Sequence, residues 1–80
     1  MTEQEARAAV QAAIAQVAPD IALADFDDAS RLRQDLELDS LDFLRLVETM
    51  DASTDVDIPE RDYASVGTIR GLIDYLAARG

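Results

Sequence analysis

Ala6, Val10, Ala13, Ile14 and Val17 recur at helical spacing and draw one narrow apolar stripe along an alanine-rich stretch from Ala6 to Ala18. In front of it, Thr2-Glu3-Gln4-Glu5 places a hydroxyl at the N-cap and a carboxylate three residues on, the pattern of a capping box. Pro19 ends this helix, because the residue before a proline is pushed out of the helical region. From Asp20 to Asp39 no period is sustained. Ile21, Leu23, Phe26, Leu32, Leu36 and Leu38 are scattered among acids, which reads as a long loop with room for one short helical turn. A loop near 20 residues is unusual in a small domain and tends to be functional or disordered. Its apolar side chains argue for order.

A second helix starts at Asp39-Ser40 and runs to about Ser53. At about 100° per residue, Phe43, Leu44, Leu46, Val47 and Met50 share one face and Asp42, Arg45, Glu48 and Thr49 the other. Leu41 falls among the polar residues. Asp55-Val56-Asp57-Ile58-Pro59 breaks the pattern, and Pro59 suits the first position of a short helix over roughly Glu60 to Ala64. Gly67-Thr68 opens a last helix with the stripe Ile69, Leu72, Ile73 and Leu76, and Gly80 closes the chain. The expected architecture is all-α: one domain over residues 1–80, four helices, a long first loop and a short third helix.

Composition narrows the chemistry. The 80 residues contain no cysteine and no histidine, which removes disulfides, thiolate nucleophiles, the commonest general base and most zinc sites. That argues against an enzyme. The net charge of −10 argues against nucleic acid and anionic membranes as partners and favours proteins with basic patches. The excess is concentrated: from Asp35 to Asp62 ten acids face only Arg45 and Arg61. No apolar run approaches the roughly 18 residues of a membrane span, and the acidic start differs from a basic secretory leader. A cytoplasmic setting is expected. Asp51, Ser53, Asp55, Asp57 and Asp62 follow part of a calcium-loop pattern, but Val56 stands where that loop needs glycine and Pro59 falls inside it.

Leu38-Asp39-Ser40-Leu41-Asp42 puts a serine at a helix start, where serine is most often only a cap. These residues resemble the modification motif of acyl carrier proteins. Ile58-Pro59 within Asp-Val-Asp-Ile-Pro is similar to the loop before that family's short third helix, and Thr68 to Leu76 to its last helix. Leu32 and Leu36 match the apolar pair of its first loop, and the likeness runs without gaps from about Leu32 onward. It implies an acyl-carrier-protein-like four-helix bundle, a monomer without catalytic residues. Phosphopantetheine would be attached to Ser40, transferred from coenzyme A by a phosphopantetheinyl transferase (a holo-carrier synthase). A helix start suits the anionic phosphodiester so formed.

The resemblance assigns Asp39 to transferase recognition alongside its capping role. Leu41, Asp42, Arg45 and Glu48 would meet partners, acyl-loading and acyl-transferring enzymes with basic docking patches. Phe43, Leu46, Met50, Ile58 and Val66 would line a cleft for the acyl thioester. Relatives of fatty-acid synthesis often differ at four positions: glycine for Glu37, an acid for Arg45, a smaller residue for Phe43 and an aromatic for Thr54. These departures imply a specialised free-standing carrier serving fatty-acid, polyketide or other lipid enzymes. The alternatives are an aminoacyl or peptidyl carrier of a nonribosomal pathway, a divalent-cation-responsive acidic helical module, and a cofactor-free adaptor that docks through its second helix.

Overall fold

The computed structural model describes residues 1–79; Gly80, expected to close the chain, lies outside the described residues. Three α-helices carry the fold: α1 (Glu3–Val17), α2 (Ser40–Thr54) and α3 (Ile69–Arg79). Two 3₁₀ segments, Leu23–Asp25 and Glu60–Val66, lie between them. The expected all-α bundle with a short third helix is what the chain forms. Among the described residues the only strand-like feature is one antiparallel bridge between Arg31 and Thr68.

α1 starts at the capping box. The Glu5 N–H donates to Thr2 Oγ1 at 3.1 Å, and the Thr2 N–H donates to Glu5 Oε1 at 2.8 Å. α1 packs against both α2 and α3, and the Glu60–Val66 helix packs on α3. Between them lies the core, with Ile14, Leu32, Leu46, Met50, Leu72, Ile73 and Leu76 fully buried. Gly71 allows the last contact: a Cβ there would lie 2.4 Å from the Ser65 carbonyl oxygen, so any larger residue would push the 3₁₀ helix off α3.

The long loop is ordered by more than the buried Leu32, Leu36 and Leu38. The Leu32 N–H donates to the Gly67 carbonyl (2.9 Å), the Ile69 N–H to Ser30 (3.1 Å) and the Arg70 N–H to Asp28 (2.8 Å). Asp28 also joins three elements through its side chain. Arg7 of α1 binds it with both guanidinium nitrogens at 2.6 and 2.9 Å, and Arg70 of α3 reaches it at 2.9 Å. Those hydrogen bonds, Arg7's first, hold the Asp28 carboxyl below the usual carboxylate range.

Two expectations are corrected. Pro59 is not the first helical residue. Its φ of −69° would allow that, but its ψ of 155° is extended, and its carbonyl accepts the first 3₁₀ bond from the Asp62 N–H at 2.9 Å. It caps the helix, which continues past Ala64 to Val66. Leu44 is not core: it is 40% exposed. α1 packs on α2, where Phe43, Leu46, Val47 and Met50 are buried and Leu44 is not.

Candidate functional site

The turn leading to Ser40 is built by three short-range features. Leu32, Leu36 and Leu38 are buried, and the Leu38 N–H returns to the Leu32 carbonyl at 3.2 Å. Between Leu36 and Leu38 the chain must reverse, and Glu37 takes a left-handed conformation, φ 59°. Glycine adopts such an angle without the cost a Cβ brings, which is why a glycine would suit this position. Asp39 then caps α2, its Oδ1 accepting from the Asp42 N–H at 2.8 Å.

Ser40 is the first residue of α2 and is exposed. Among the described residues neither its N–H nor that of Leu41 has an acceptor, so two backbone donors remain at the positive end of the helix dipole. Arg33 Nη2 donates to Ser40 Oγ at 3.2 Å. A primary hydroxyl flanked by a guanidinium and unpaired amides matches the needs of an anionic ester on that oxygen. These residues fit the attached phosphopantetheine arm.

Beside Ser40 runs a groove of about 460 Å³ lined by Arg33, Gln34, Phe43, Leu44, Tyr63, Ala64 and Gly67. Two of these lining residues, Phe43 and Tyr63, pack edge to face, ring centroids 5.2 Å apart at 79°. Of the five residues expected around an acyl cleft, Phe43 alone lines this groove. Leu46, Met50, Ile58 and Val66 are buried in the core. Sequence reasoning missed Arg33, Gln34, Tyr63, Ala64 and Gly67, which lie on segments without apolar period.

The expected partner face is exposed in part. Leu41 is 71% exposed, an apolar side chain standing in solvent one residue from Ser40. Arg45 and Glu48 are exposed and Asp42 is half-buried. Among the described residues Arg45 pairs with neither acid. Of the ten acids between Asp35 and Asp62, Asp35 alone has an ion pair among the described residues, to Arg31 at 3.2 Å. At the far end of α2, Thr54 fills the place of the expected aromatic; it is half-buried, with its hydroxyl donating to the Met50 carbonyl at 2.6 Å. The calcium-loop residues take other parts: Asp55 is the left-handed cap of α2, and Asp62 accepts from the Tyr75 hydroxyl at 2.7 Å.

Comparison with known proteins places this geometry. An "Acyl carrier protein" of Syntrophobacter fumaroxidans is 44% identical over 43 residues, covering 54% of this chain and 53% of that protein. Proteins of the same name from Chlorobium phaeovibrioides and Chlorobium luteolum are each 36% identical over 50 residues, 62% of this chain and 64% of theirs. The matches thus span between half and two thirds of these relatives. The pattern of the family described as "Phosphopantetheine attachment site" matches residues 8–76, nearly the whole sequence, and the chain belongs to that family.

Proposed function

We propose that this protein is an acyl carrier: it holds acyl groups as thioesters on a phosphopantetheine arm attached to Ser40 and presents them to other enzymes in the cytoplasm. The observation that carries this reading is the Ser40 hydroxyl, exposed on the first residue of α2 beside unpaired backbone N–H groups and Arg33. When bound, the arm supplies the thiol that forms the thioester. The chain's own residues hold and present it. Asp39 fixes the start of α2, and Ser40 supplies the oxygen that receives the phosphoryl group. Leu41, Asp42, Arg45 and Glu48 form the face that the transferase and acyl-handling enzymes would meet. No residue of the chain is assigned a catalytic part.

The groove beside Ser40 suits the arm, and the core residues Leu46, Met50, Ile58 and Val66 suit the acyl chain. Phe43, packed edge to face on Tyr63, both lines that groove and is buried with the core. Together with Arg45 on the partner face, this favours a specialised carrier over the main one of fatty-acid synthesis. The test is intact mass after treatment with coenzyme A and a broad-specificity phosphopantetheinyl transferase. One phosphopantetheine should be added to the native protein and none to Ser40→Ala. An unchanged native mass would refute the carrier reading and favour the cofactor-free adaptor.

A further inference from the structure

We propose that Arg33 binds the phosphodiester of the attached arm and thereby holds the arm against the groove; the proposal rests on Ser40 being the attachment point. The first observation is the contact itself, Arg33 Nη2 to Ser40 Oγ at 3.2 Å. A hydroxyl is a weak partner for a guanidinium, whose planar fork matches two oxygens of a phosphate or carboxylate.

The second observation is how the other cations are used. Arg7 and Arg70 bind Asp28, Arg31 binds Asp35, and Arg79 lies over the Tyr75 ring at 3.6 Å; Arg45 and Arg61, like Arg33, make no ion pair among the described residues, but of these three Arg33 alone hydrogen-bonds to Ser40. Arg33 has no carboxylate partner among the described residues, although the chain carries 17 acids against 7 arginines. The nearby acid of the turn, Asp39, is engaged with the Asp42 N–H. Esterifying Ser40 Oγ places a phosphorus on the atom Arg33 already touches, and its two non-bridging oxygens carry the charge that Arg33 lacks.

The third observation is direction. Arg33 lines the same groove as Ser40, together with Gln34, Tyr63, Ala64 and Gly67. A phosphodiester held by Arg33 starts the arm along that groove; one held only by the helix start is free to swing into solvent.

The experiment compares the native protein, Arg33→Gln and Arg33→Lys, each with and without the arm. Phosphorus NMR reads the phosphodiester, and the Arg33 Nε–H resonance reports the guanidinium. In the native protein the Nε–H signal should shift on modification, and the phosphorus signal should differ from that of the urea-unfolded carrier. In Arg33→Gln the phosphorus signal should move to the unfolded value, with Arg33→Lys between. Modification should also raise the native melting temperature, and moderate salt or Arg33→Gln should remove that rise. If all three proteins gain the arm and share one phosphorus signal and one melting shift, the assignment of Arg33 is overturned while the carrier reading stands. If none gains the arm, the carrier reading falls and this proposal with it.

Discussion

Glu37 holds the backbone in a conformation that opposes its own side chain, and relieving it should stabilise the protein. Its φ of 59° is left-handed, which costs a residue with a Cβ roughly 1–2 kcal/mol. Glycine removes that cost but gives back about 0.4–1 kcal/mol through its freedom in the unfolded chain. The net gain for Glu37→Gly is therefore on the order of 0.5–1 kcal/mol. In a domain of this size about 1 kcal/mol moves the melting temperature by roughly 4–8 °C, so the rise should be about 2–8 °C. Removing the Glu37 charge from an acidic segment also contributes, and Glu37→Ala isolates it, because alanine loses the charge and keeps the strain. The assay is thermal unfolding followed by far-ultraviolet circular dichroism on all three proteins. Glu37→Gly should melt above Glu37→Ala by most of the predicted rise. Equal midpoints for the two would mean that the turn before Ser40 stores no strain, and the account of that turn would be wrong.

Four further outcomes follow from the charges and the exposed face. Since nine of the ten acids from Asp35 to Asp62 have no ion pair among the described residues, the melting temperature should climb from low salt to about 0.15 M, where the screening length is near 8 Å; a flat or falling midpoint would contradict this. Asp28, held below the usual carboxylate range, stabilises the fold at neutral pH and loses that effect as pH falls through its lowered value. Stability should therefore drop below about pH 4; Asp28→Asn should blunt the drop in thermal scans, and an unchanged acid limb would refute the role of Asp28. Leu41→Ala should leave stability within about 0.5 kcal/mol yet lower the transferase kcat/KM on the order of tenfold, while Arg45→Glu should speed transfer to a general fatty-acid ketosynthase at low salt. Equal rates for parent and variant would remove either residue from the partner face.

The helices were legible because their signals are local. The Thr2 and Glu5 capping box, the Asp39 cap and the stripes of α1, α2 and α3 each depend on residues three or four apart, and each forms where it was expected. Leu44 was misplaced because helical period gives a direction, not the width of what covers it. Pro59 was misplaced because proline's ring sets φ and leaves ψ to the neighbouring turn. What stayed hidden is contact over long separations. Arg7 and Asp28 are 21 residues apart and Arg70 and Asp28 are 42 apart, so no window of sequence shows that one carboxylate fastens α1 and α3 to the loop. Arg33 stood in the same blind spot: it lies seven positions before Ser40, across irregular chain.

The central claim is that Ser40 carries the arm, and fragment mass spectrometry of the modified protein tests it most directly. After incubation with coenzyme A and the transferase, the added mass should fall on the fragment containing Leu38-Asp39-Ser40-Leu41-Asp42 and be assigned to Ser40. Ser40→Ala should keep its helical circular dichroism and gain nothing. Added mass found on Ser30, Ser53 or Ser65, or persisting in Ser40→Ala, would contradict the claim.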